Sequence, residues 1–189
     1  MKRIIIGGAT CSGKTTLASN LAHRLGYPHV EMDALFWEAD WQEAPPDIFR
    51  ERVSQALDGA TWITDGNYSS VRDLVWGRAD TLVWLDYRLV VIMPRLFKRT
   101  LARIITQEKL WGKTQDSWRH QLGRGSIFLL LLKSHPRHRR TYSALLQDPV
   151  YAHLNAIQLR SPRATQHWLA TIDAPNLNLD NLPHNAITP

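Results

Sequence analysis

Residues 8 to 15 read Gly8-Ala9-Thr10-Cys11-Ser12-Gly13-Lys14-Thr15, the spacing G-x-x-x-x-G-K-[ST]. Residues of these types can hold a polyphosphate. The glycines let the backbone wrap so that successive N–H groups point inward, and the helix that follows adds its dipole. Lys14 reaches the β- and γ-phosphates, and the Thr15 hydroxyl ligates Mg²⁺. At average composition such a match arises by chance roughly once in several tens of thousands of positions. The segment, with Thr16 behind it, is therefore read as the cradle of a nucleoside triphosphate. Within it, Cys11 has two readings. It is a small filler at a variable position, or a redox-sensitive thiol, because a helix N-terminus lowers a thiol pKa.

Three carboxylates are expected at the strand ends where a doubly wound sheet binds ligands. Asp33 follows the second strand, Asp65 ends Trp62-Ile63-Thr64-Asp65, and Asp86 ends Leu82-Val83-Trp84-Leu85-Asp86. Either Asp65 or Asp86 could support Mg²⁺. Asp65 is preferred, because Gly66 leaves room for a ligand near the backbone; Asp86 could instead cap the next helix. Asp33 could take the proton of a hydroxyl attacking the γ-phosphate, or be a solvated loop acid.

The stretch after Asp33 is acidic and aromatic, Phe36-Trp37-Glu38-Ala39-Asp40-Trp41, and reads either as core or as an acceptor pocket. On the helix that starts at Leu89, Arg95, Arg99 and Arg103 recur at i, i+4, i+8, opposite Phe97, Leu101, Ile104 and Ile105. Like charges at that spacing repel unless an anion sits among them. The three arginines are thus candidates to neutralise a transferring phosphoryl group. Lys133–Arg140 is less periodic and is read as surface.

These residues must be positioned by something. Short apolar runs at Arg3–Ile6, His29–Met32, Trp62–Thr64, Thr81–Leu85 and Ala156–Leu159 alternate with helical patterns. That alternation predicts an α/β fold with a parallel sheet, and the uniformly apolar strands predict helices on both faces. The chain is expected to form one domain over residues 1–171, with a helical lid inserted at about 108–140 and a loosely ordered tail at 172–189. The longest apolar run in the second half, Ile127–Leu132, is six residues, against roughly 20 needed to span a bilayer. There is one cysteine among 189 residues. A membrane protein, a disulfide scaffold and a disordered chain are excluded, and a reducing, cytoplasmic setting is expected. The net charge is +6, yet Arg88 to Arg140 holds 13 basic residues and two acids, a local +11. Such a block points to an anionic partner, a nucleic-acid backbone or a small molecule's phosphates.

Together these motifs resemble the adenylate-kinase-like branch of P-loop small-molecule kinases. Within it, the Gly8–Thr15 loop, Asp33-Ala34-Leu35-Phe36-Trp37, Asp65-Gly66-Asn67-Tyr68-Ser69, Arg78-Ala79-Asp80, Leu85-Asp86 and the helix arginines are most similar to the bacterial DNA topology modulation (flagellar-regulator-related) proteins. The resemblance implies a three-layer P-loop NTPase fold with a five-stranded parallel sheet in order 2-3-1-4-5. It also implies use of ATP and Mg²⁺, a lid closing over phosphates, and passage of the adenine near Leu159-Arg160-Ser161-Pro162. Adenylate kinases continue Asp-Gly with Phe-Pro-Arg, whose arginine grips the acceptor's phosphate. Here Asp65-Gly66-Asn67-Tyr68 has no arginine until Arg72, and Glu31–Leu57 holds only Arg50 and Arg52 as cations. A neutral hydroxyl compound fits as well as a nucleotide.

The expected activity is transfer of the ATP γ-phosphoryl group to a small acceptor. In this reading Lys14 and Thr15 hold the nucleotide, Asp65 the metal and Asp33 the acceptor. Arg95, Arg99 and Arg103 lie over the phosphates, and Arg160 lies near the base. The alternative is a nucleic-acid-associated or regulatory ATPase that uses the basic 88–140 segment.

Overall fold

Why the apolar runs carry no polar alternation is evident in the computed structural model, which describes residues 1–106, 109–110, 114–115 and 127–172. Consecutive strand residues point to opposite faces of a sheet, and here both faces are covered. In β1 (Arg3–Gly8), Ile4 and Ile6 pack into one apolar cluster and Ile5 into another. Val83 and Leu85 of β4 (Thr81–Leu85) join the first cluster, while Leu82 and Trp84 join the second. Three layers result.

The sheet runs β2-β3-β1-β4-β5, all parallel, with β2 at His29–Glu31, β3 at Trp62–Asp65 and β5 at Asn155–Leu159. This is the expected order 2-3-1-4-5. β1 is central, so Gly8 at its end lies between β3 and β4, level with Leu85. Helix α1 (Lys14–Leu25) buries Leu17, Ala18 and Leu21 against the first cluster. It stops at Gly26, whose left-handed φ of 68° lets its N–H turn back to the Ala22 carbonyl.

The aromatic stretch after β2 opens as a short helix, α2 (Met32–Phe36), followed by α3 (Pro46–Ala56), which buries Phe49 and Val53 in the second cluster. Helix α4 (Arg72–Arg78) adds Val75 and Trp76 there. On the other face lie α5 (Leu89–Thr106), burying Ile92 and Leu96, and α7 (Pro162–Ala170), burying Trp168. The α7 start is fixed by the Ser161 hydroxyl, which accepts from the Ala164 N–H at 3.1 Å.

Of the expected lid, residues 107–108, 111–113 and 116–126 lie outside the described residues, as do residues 173–189 of the tail. Lys109–Leu110 and Thr114–Gln115 form a two-stranded antiparallel ribbon. Residues 127–140 belong to a longer helix, α6 (Ile127–Leu145), which buries Leu131, His135 and Tyr142. Lys133–Arg140 is therefore not a simple surface run. Among the described residues no helix is long and apolar enough to cross a membrane.

Candidate active site

The loop between β1 and α1 has the backbone its glycines permit. Gly8 sits at φ 143°, and a Cβ there would stand 2.8 Å from the Leu85 carbonyl oxygen. Gly13 caps α1 at φ 97°. Cys11 adopts a left-handed φ of 59° without being glycine. Burial raises its thiol pKa against the opposing pull of Arg99, Lys14, Arg103 and Arg95. The activated thiolate that a helix N-terminus alone would favour is thus opposed here.

Lys14 curls over the loop, its Nζ donating to the Ala9 carbonyl at 3.1 Å. Burial lowers its pKa, and the carboxylates of Asp33 and Asp65 pull the other way. Next to it the Thr15 hydroxyl donates to Asp65 Oδ2 at 2.6 Å. Asp65 is 6% exposed, and its Oδ1 lies 2.8 Å from His29 Nε2. No spacing along the chain singles out His29. It reaches Asp65 because His29 stands beside Ile63 in the β2–β3 register, which puts Asp65 two residues further on the same face.

Asp86 stands apart from this group. Its side chain is 1% exposed, with Oδ1 2.7 Å from Arg139 Nε and Oδ2 accepting from Arg139 Nη2 and Gln158 Nε2, each at 2.9 Å. That carboxylate is committed to an ion pair joining α6 to the end of β4. A hydroxyl and a carboxylate oxygen side by side at Thr15 and Asp65 are the hard donors Mg²⁺ takes when phosphates supply the remaining ligands. No group of three or more metal-ligating side chains occurs among the described residues.

Across the cleft, Asp33 lies exposed on α2 and its Oδ1 accepts from the Tyr68 hydroxyl at 2.6 Å. Burial and the Asp33 charge both raise the Tyr68 pKa, so the phenol remains a donor. Phe36 packs on Tyr68 and Phe49, with ring centres at 4.5 and 5.0 Å. Trp37 and Trp41 meet edge to face beyond them. The two cations of this segment are both paired, Arg52 with Glu38 at 2.6 Å and Arg50 with Asp73 through two nitrogens.

Asn67, also unforeseen, clamps the loop. Its Nδ2 donates to the Gly8 carbonyl at 2.6 Å, and its Oδ1 accepts from the buried Tyr142 hydroxyl at 2.7 Å and from the Gly8 N–H at 3.4 Å. The Tyr142 ring lies so close to Gly7 that a Cβ there would meet its oxygen at 2.6 Å.

From α5, Arg95 Nη1 donates to the Ser12 carbonyl at 3.1 Å, with its guanidinium 5.5 Å from the Tyr87 ring centre. Arg95, Arg99 and Arg103 line one cleft of about 750 Å³ together with residues Thr10 to Thr16, Asp33 and Asp65. Pro162 and Thr165 of α7 line it as well. Arg160 is not among them. It bonds Gln158 Oε1 at 3.2 Å in a separate hollow beside Asp86.

The arrangement can hold a polyphosphate, place a metal beside it and present a carboxylate opposite. A sequence family described as an AAA domain matches residues 3–121. Among solved structures, a sugar kinase from Janibacter sp. HTCC2649 aligns with a TM-score of 0.51 at 19% identity, over 90% of this chain and 93% of that one. Shikimate kinase from Aquifex aeolicus vf5 aligns with a TM-score of 0.51 at 15% identity, over 89% and 94%. At such identities the likeness establishes the fold. No curated protein sequence matches the chain.

Proposed function

We propose, from the premise that this chain belongs to the AAA-domain family, that it is an ATP-dependent phosphotransferase acting on a hydroxyl group of a small acceptor. The observation that carries this reading is a single cleft holding the phosphate loop, the Thr15–Asp65 pair, Asp33 and three arginines. A triphosphate site with a carboxylate facing it from another element is suited to transfer rather than to binding alone. The two solved kinases of similar fold act on small molecules by name, which agrees with that reading. The finer likeness to DNA topology modulation proteins remains a proposal resting on the Asp65–Ser69 and Arg78–Asp80 motifs.

Lys14, freed from Ala9, would donate to the β- and γ-phosphate oxygens, and the loop N–H groups would hold the rest of the chain of phosphates. Mg²⁺, which Thr15 and Asp65 would hold, supplies charge neutralisation at the phosphates when bound. Asp33 orients the acceptor hydroxyl and takes its proton, while Tyr68 keeps that carboxylate aimed. Arg95, Arg99 and Arg103 balance charge on the transferring oxygens. Because Arg50 and Arg52 are paired within the protein, the segment facing Asp33 offers no clamp for a phosphomonoester. A nucleoside monophosphate is therefore the weaker candidate.

The nucleic-acid reading loses support from where its charges sit. Arg95, Arg99 and Arg103 line the nucleotide cleft, and Arg139 is paired with Asp86, so the described part of the +11 block is not one open surface. A screen of small hydroxyl compounds for ADP release tests the proposal. Acceptor-dependent release is expected. Hydrolysis stimulated instead by DNA or RNA, falling steeply with salt, would reverse the choice.

A further inference from the structure

Beside the Gly66–Tyr68 turn lies a second, partly enclosed cavity of about 40 Å³. Its polar lining includes Arg72 from α4, His138 and Thr141 from α6, and Asn67 and Tyr68 from the turn. Asn67 and Tyr68 also line a hollow of about 540 Å³ against Phe36 and Phe49, and Tyr68 holds Asp33. Tyr68 thus links the small cavity to the candidate base.

Arg72 gives this lining a positive charge, and no carboxylate is part of it. Arg72 is half-buried, stacked 5.9 Å from the Trp76 ring centre, and forms no ion pair with any described residue. Burial lowers the pKa of His138, and Lys14, His135, Arg137 and Arg72 all push it the same way. Nearby acids are committed elsewhere: Asp33 to Tyr68, Asp65 to Thr15 and His29, and Asp73 to Arg50. A half-buried guanidinium without a counter-charge is costly, and a small anion would relieve that cost.

Resting on the phosphotransferase reading, we propose that this cavity receives a carboxylate of the acceptor, which makes the substrate class a small hydroxy acid with Arg72 and His138 as binding residues. Size selects the anion. A cavity holds a water from roughly 10–15 Å³ upward, so about 40 Å³ has room for a small anion such as a carboxylate. A phosphoryl group is larger. The planar fork of Arg72 matches a carboxylate's two oxygens, which a lysine would meet only as a point charge.

The test is calorimetric titration of the protein, loaded with Mg²⁺ and a non-hydrolysable ATP analogue, with glycerate, gluconate and quinate against glycerol, glucose and inositol. At least one acid should bind at least about tenfold tighter than its neutral counterpart, and Arg72→Gln should remove at least about tenfold of that affinity. Arg72→Lys should keep part of it, and the analogue's affinity should not change. Polyols binding as tightly as acids, no acid binding, or acid affinity untouched by Arg72→Gln would each overturn the proposal. If Arg72→Gln also loses the analogue, His138→Gln decides between the same two results. With ATP in place of the analogue, acids that bind through Arg72 yet release no ADP would count against phosphoryl transfer and leave the carboxylate site standing.

Discussion

At Asp33 the chemistry depends on one carboxylate kept aimed. It is exposed and held by a single phenol hydrogen bond. Asp33→Asn should therefore leave affinity for an ATP analogue unchanged and cut acceptor-dependent ADP release by about 10²–10⁴-fold. Weakened analogue binding with normal turnover per bound ATP would place Asp33 with the metal instead. Lys14 makes the complementary case. Burial lowers its pKa in the empty protein, and phosphates around it would raise that value again. The sign follows: affinity for the analogue is complete while Lys14 is charged in the empty protein. It falls as pH rises through that lowered value toward the ordinary lysine range. Titrating the dissociation constant from neutral to alkaline pH checks this, and a flat profile would mean that the ammonium does not meet the phosphates.

At the scale of elements, the phosphate loop is braced from behind by a helix distant in sequence. Tyr142 on α6 donates to Asn67, and Asn67 grips Gly8 on both backbone atoms. Tyr142→Phe keeps the ring against Gly7 but leaves Asn67 Oδ1 short of a donor. It should cost about 0.5–1.5 kcal/mol in chemical denaturation and lower kcat more than analogue affinity. If unfolding midpoint and kcat both match wild type, the brace is idle. Helix α5 carries a different kind of element, a row of arginines along the cleft. Arg95, Arg99 and Arg103 face the cleft on successive turns, so mutual repulsion should ease when phosphates enter. Arg99→Ala should reduce turnover more than analogue affinity, because charge on the transferring oxygens is clamped hardest in the transition state. Hydrogen exchange over residues 95–106 should slow on adding analogue and Mg²⁺. Equal exchange in both states would make the stripe a static surface.

For the molecule as a whole, one buried carboxylate, Asp65, ties together groups carried by three strands. Thr15 follows β1, Asp65 ends β3 and His29 begins β2. A ligand at a hundred times its dissociation constant adds about 2.7 kcal/mol to stability, about 5–10 °C in Tm for a chain of this size. The analogue with Mg²⁺ should reach that shift, and a chelator should remove a large part of it. His29→Ala should weaken the metal's share by about 10–100-fold in Mg²⁺ requirement, since the imidazole orients Asp65. A thermal shift indifferent to chelator would argue that Asp65 serves Thr15 alone.

The sequence by itself determined what is local. Gly8 to Thr15 is contiguous, so its glycines, lysine and hydroxyl prescribe the loop wherever the chain goes, and strands apolar on both faces required two helical layers. Arg95, Arg99 and Arg103 were legible too, because a helix turns at a fixed period. What the tertiary structure alone decided are meetings between elements. Asp65 and Asp86 look alike at the ends of their strands, yet one meets Thr15 across 50 residues and the other meets Arg139 across 53. His29 joins Asp65 across 36 residues, and Tyr142 joins Asn67 across 75. Those distances are set by strand register and by the return of α6 over the sheet, which no spacing along the chain records. Arg160 shows the same rule in reverse. It is near the nucleotide cleft in sequence, two residues before Pro162, yet its side chain turns to Gln158 on the other side of β5's end.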